Sequence, residues 1–178
     1  MVRVATSPEG ITVQITKRAD GGTVLSCVRP NGTTTWQKSE NRQAAFFPLH
    51  DLTHYAVESV LETKAGFFGL IANGWSIDDT TGKGAMGPLP PQSIAVERLV
   101  GLLDVERAAA SSWTADEFVG QLTAVGVDPA LLDLTDAKLN EVRDRRRDLF
   151  AAWAAVVPGQ SLDLSFPRHP DTGIVETV

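Results

Sequence analysis

Two turn signals, Asp20-Gly21-Gly22 and Pro30-Asn31-Gly32, divide the N-terminal part of the chain into three short segments. They constrain the fold more than any other feature. Glycine in these dipeptides allows the positive φ that a tight hairpin turn requires. Residues 11–16, 23–28 and 33–38 alternate or are rich in β-branched side chains, as half-buried strands do. Parallel pairing needs a crossover of a dozen or more residues, so strands joined this tightly pair antiparallel. The expected result is a small antiparallel meander after a loose lead-in over residues 1–10.

Past residue 45 the apolar spacing becomes helical. Pro48 suits a first helical position, where its missing N–H costs nothing. Steps of 100° from there put Leu49, Leu52, Ala56 and Val60 on one stripe. His50, His54, Val57 and Leu61 form a second band, and Asp51, Glu58 and Glu62 an acidic third. Ser93 is the expected N-cap of a helix to about residue 110, with Val96, Leu99, Val100 and Leu103 inward and Glu97 at the edge. Thr114 caps the next helix, which ends before Gly126, and Thr135 opens the last, which Pro158-Gly159 closes. Residues 161–166 alternate again and are expected to join the meander as an edge strand. The chain therefore reads as α+β in one domain over residues 1–178: 1–45 mostly β, 46–160 mostly α, 161–178 strand and irregular tail. Its length suffices for one sizeable core, and no break in composition divides it.

The chemistry concentrates in Leu49-His50-Asp51-Leu52-Thr53-His54. On a helix, histidines four apart project the same way one turn apart, the spacing by which one helix gives a divalent ion two ligands. A carboxylate is the expected third ligand. Glu58 follows on the same helix, and Glu97 is the first candidate on a facing one. Zinc is the expected ion, with water in the fourth position. In the H-E-x-x-H metalloprotease helix a glutamate acts as base on the water. Asp51 takes that place here and is the candidate catalytic residue. One methylene shorter, it suits orienting a ligand histidine or holding a second metal better than direct proton abstraction.

The same residues resemble the H-D-x-x-H motif of the zinc-binding family that acts in ubiquinone biosynthesis. That resemblance implies a mostly helical fold and a bound zinc. The family's motif closes with a glutamate after eleven further residues; Gly66 occupies that position here. The helix also resembles those of small bacterial proteins of unassigned mechanism. Phosphohydrolases named for a His-Asp doublet need a histidine upstream, and none precedes His50.

Other signals are weaker. Residues 76–92 hold three glycines and three prolines without an apolar period, the composition expected of a lid over the histidines or of a mobile surface loop. Gly74-Trp75-Ser76-Ile77-Asp78 fails the nucleophile-elbow pattern at its last position. Thr81-Gly82-Lys83-Gly84 lacks the first glycine and the final Ser/Thr of a P-loop. Residues 143–148, Arg-Asp-Arg-Arg-Arg-Asp, read as a solvated helix face. A net charge of −6 argues against nucleic-acid or membrane partners. Cys27 is the only cysteine, which excludes an internal disulfide or a cysteine-type zinc site. No signal peptide or spanning segment is visible, so a cytoplasmic protein is expected. The first functional expectation is a metal-dependent hydrolase acting on a small molecule or peptide. The second is a non-catalytic interaction module, its histidine helix packed against a partner or a second copy, with Trp36, Trp75, Trp113 and Trp153 offering contact surface.

Overall fold

The computed structural model describes residues 10–168. The lead-in before them, and the tail from His169 onward, lie outside the described residues. Strands β1 (Ile11–Lys17), β2 (Thr23–Val28) and β3 (Thr34–Ser39) form the expected meander. Strand β4 (Ser161–Phe166) adds antiparallel to β1, giving the sheet order β3-β2-β1-β4. Register is set by the period-2 pattern: Val13 faces Cys27 and Ile15 faces Leu25, and all four are buried on one face.

Among the described residues five helices follow: α1 (Asn41–Leu61), α2 (Phe67–Ala72), α3 (Pro91–Ala108), α4 (Ala115–Ala124) and α5 (Asp136–Ala155). The α+β expectation holds. Among the described residues, no helix is long and apolar enough to cross a membrane.

Helix α1 is the axis of the molecule. It packs against α2, α3 and α5 and touches β2 and β3. Every residue from Asp51 to Glu58 is therefore buried, whichever way it points. Two of the three acidic-band residues lie inside, Asp51 at 4% exposed and Glu58 fully buried, while Glu62 at the helix end is exposed. Tyr55 fixes α1 to the sheet by donating its hydroxyl to the Ser165 carbonyl at 2.6 Å.

Two helix starts differ from expectation. α1 begins at Asn41, so Pro48 lies inside the helix rather than at its first position. Its side chains over residues 41–43 are exposed and polar, which hid the first turn from any apolar pattern. α3 starts at Pro91 behind Pro90, and Ser93 is its buried third residue rather than its cap. The other starts are as read. Thr114 and Glu117 form a reciprocal capping box on α4, and Thr135 accepts from Lys138 N on α5. At the far end of α5, Lys17 donates to the Trp153 and Val156 carbonyls at 2.8 and 2.6 Å, satisfying groups the helix leaves open.

Candidate metal centre

Helices α1 and α3 cross so that His50 and His54 face Glu97. The imidazoles meet edge to face with ring centroids 4.9 Å apart. His54 Nε2 lies 2.9 Å from one Glu97 oxygen and His50 Nε2 lies 3.7 Å from the other. One ligand atom from each of the three residues falls within 4.8 Å of the others, close enough to share a metal ion.

The remaining ring nitrogens are also held. His50 Nδ1 is 3.1 Å from Asp104 Oδ2, and His54 Nδ1 is 3.2 Å from Glu58 Oε1. A carboxylate on Nδ1 fixes the ring and leaves Nε2 free for an ion, as metal-ligating histidines commonly require. Glu58, expected among the ligands, is thus placed at the other nitrogen of His54. Its second oxygen accepts the Gly69 N–H at 3.0 Å. Asp51, expected to orient a histidine, is hydrogen-bonded to neither; Asp104 and Glu58 hold those places. Asp104 was missed, although it lies two turns beyond Glu97 on one flank of α3, a spacing visible in the sequence.

Gly66, where the resembled motif has its glutamate, is packed against Glu58. A Cβ there would collide with Cδ and Oε2 of Glu58 and lie 2.7 Å from its Cγ. Glu58 is tied at both oxygens and has nowhere to retreat. Gly66→Ala is expected to cost about 1–3 kcal/mol, the usual range for overpacking. Urea unfolding checks this, and an unchanged midpoint would show that the Glu58 carboxylate is free to move.

The electrostatics follow from these contacts. Burial opposes charge on His54, but its hydrogen bonds to Glu58 and Glu97 outweigh it and push the imidazolium up to about 10. The hydrogen bond to His54 in turn holds the Glu97 carboxyl below its usual range. Asp51 behaves oppositely: burial drives its carboxyl up to about 7, against the pull of His54 and His50. No hydrogen bond to its carboxylate is formed among the described residues.

A cleft of about 240 Å³ opens over these groups. His50, Asp51, His54 and Glu97 line its acid-base side, and Phe47 and Phe67 its aromatic side. Gln37 of β3 and Ile77, Thr80 and Thr81 complete it. The long connection between α2 and α3 therefore reaches the histidines. It is not structureless: residues Asp79–Thr81 form a 3-10 turn, and Asp79 accepts from Ser76 N and Oγ at 2.8 and 2.7 Å. No family model, curated protein or solved structure matches this chain.

Proposed function

We propose that the chain is a metal-dependent hydrolase acting on a small substrate, with His50, His54 and Glu97 holding a divalent ion and zinc the first choice. One observation carries this reading: both Nδ1 atoms are occupied by carboxylates while both Nε2 atoms converge on Glu97. Two imidazoles and a carboxylate suit zinc, leaving one position open. Such an ion supplies a Lewis acid and acidifies water. Asp104 and Glu58 keep the rings oriented. Asp51 lines the cleft and bonds neither histidine, so in place of the expected orienting role it would take the proton from the attacking water, through a water relay where its short side chain does not reach. Phe47 and Phe67 keep bulk water out, and Gln37 and Thr80 offer polar contacts to the substrate.

Elemental analysis of the purified protein tests the first half. One ion per chain is expected. Protein that stays metal-free in excess Zn²⁺, Mn²⁺, Fe²⁺ and Ni²⁺ would leave the non-catalytic reading, with the His54 imidazolium itself bridging Glu58 and Glu97.

The proton on His54 sets a pH dependence. Its folded value, about 10, lies above the ordinary 6.5. In the metal-free protein this contribution to stability is complete below pH 6.5 and is lost as pH rises through about 10. Metal must displace the same proton. Apparent metal affinity is therefore expected to rise roughly tenfold per pH unit across that window, with about one proton released per ion. Calorimetry in buffers of different ionisation enthalpy counts the proton; an affinity flat with pH would remove His54 as a ligand.

A further inference from the structure

A second cleft, of about 390 Å³, lies between the C-terminal half of α3, the turn after it and the middle of α5. Arg107, Arg143, Arg146 and Arg147 line it, and Glu106 is the only carboxylate in its wall among the described residues. The chain as a whole carries −6, so such a concentration of guanidinium groups runs against its overall charge.

The Arg-rich stretch of α5 is not a uniformly solvated face. Arg146 is 8% exposed and points inward. Glu106, itself 2% exposed, is satisfied by Arg143: Nε donates to Oε1 at 3.1 Å and Nη2 to Oε2 at 2.6 Å. Glu106 Oε2 also accepts the Trp113 N–H at 2.9 Å. Arg146 is left with the Leu103 carbonyl at 3.0 Å and only a 4.0 Å approach to Glu106. Arg143 is fully committed, with Nη1 also on Asn140 Oδ1 at 2.9 Å and Nη2 on the Trp113 carbonyl at 2.6 Å. Glu106 is thus taken up by Arg143, and among the described residues the buried Arg146 has no carboxylate within hydrogen-bond distance.

The geometry around that charge is fixed. The Arg107 and Arg146 guanidinium groups lie 5.8 and 6.0 Å from the Phe150 ring centroid. Aromatic stacking of this kind restrains a guanidinium without neutralising it. Among the described residues, Arg107 otherwise approaches only Asp104, at 3.9 Å, and Asp104 is not part of the cleft wall. Arg147 pairs with Asp144 at 2.9 Å, also outside the wall. Ser111 and Ser112 border the opening.

We infer that this cleft is a binding site for a phosphate group, presented by inorganic phosphate or by a phosphate monoester with a small organic body. Arg107 of α3 and Arg146 and Arg147 of α5 line one cleft, and guanidinium groups suit phosphate because each can donate two parallel hydrogen bonds. The wall at Phe150 and Ala110 accommodates the organic part.

Binding is tested by calorimetry on the full chain, treated with chelator so that no metal site competes. Inorganic phosphate and phenyl phosphate serve as probes, each with one arm in wild type. Submillimolar binding of either is expected, and the tighter one identifies the source. Arg107→Gln, a change at a half-exposed side chain, is expected to weaken binding at least tenfold. Arg145→Gln removes the same charge from the outer face of α5, where Arg145 does not line the cleft, and is expected to leave affinity unchanged. Absence of submillimolar binding by both probes, or equal losses in Arg107→Gln and Arg145→Gln, would overturn the inference.

Discussion

His54→Ala is expected to abolish metal binding and to destabilise the metal-free fold by about 3–5 kcal/mol, the range for removing one partner of a buried charged pair. The second effect arises at Glu58. Its side chain is fully buried, and among the described residues His54 is the only cationic group bonded to it. Without the imidazole, the carboxylate is left in the core without a cationic partner, which is costly. His50→Ala provides the contrast. It removes a ligand too, so metal is lost, but its partner Asp104 is partly exposed and has Arg107 3.9 Å away. A smaller stability loss is expected there. Metal stoichiometry and urea unfolding on both variants separate the two roles. Stoichiometric metal in either variant would sink the proposed ligand set.

Asp51→Asn is expected to raise the stability of the metal-free protein above neutral pH while removing turnover. The folded carboxyl sits at about 7, above its ordinary 3.8. A raised value means that the stability associated with the protonated form is complete below pH 3.8 and is lost as pH climbs through about 7. At pH 8 the ionised group destabilises the fold by an amount on the order of a few kcal/mol, because each tenfold change in acidity is worth about 1.4 kcal/mol. Asparagine is isosteric and uncharged, so the difference in melting temperature between wild type and variant should widen from pH 4 to pH 8. Turnover of any substrate the wild type accepts should fall roughly 10²–10⁴-fold, the usual contribution of general acid–base catalysis. A variant that is no more stable at pH 8, or that retains activity, would take Asp51 out of the mechanism. The simpler idea that Asp51 is a favourable charge near a helix start does not apply, because α1 begins ten residues before it.

What could be read in advance follows a physical line. Turn chemistry and strand alternation are local, so β1 to β3 and even the edge strand β4 were legible. So was Glu97, because its place beside the Val96–Leu103 stripe put a carboxylate at a helix boundary. The start of α1 was not, because its first turn is polar and exposed and Pro48 imitated a beginning. Nor was the role of Glu58. Its place on the histidine helix made it a candidate ligand, yet only the approach of the α2 backbone shows where its oxygens go. The inward turn of Arg146 was hidden for the opposite reason. Its neighbours in sequence are charged and solvated, and only the carboxylate of α3 across the cleft reveals which arginines face it.

Cys27 sits in the middle of β2, hydrogen-bonded between β1 and β3 in the sheet and without measurable exposure. Burial, reinforced by the nearby Asp51 carboxylate, pushes its thiol up to about 12. A thiolate is the reactive form, so alkylating reagents and oxidants find neither access nor a nucleophile while the sheet is closed. Labelling must then wait for the strands to part. With a single thiol in the chain, the rate of modification in native buffer becomes a direct count of how often the sheet opens. Any ligand that binds only the closed form will slow that rate in proportion to its occupancy.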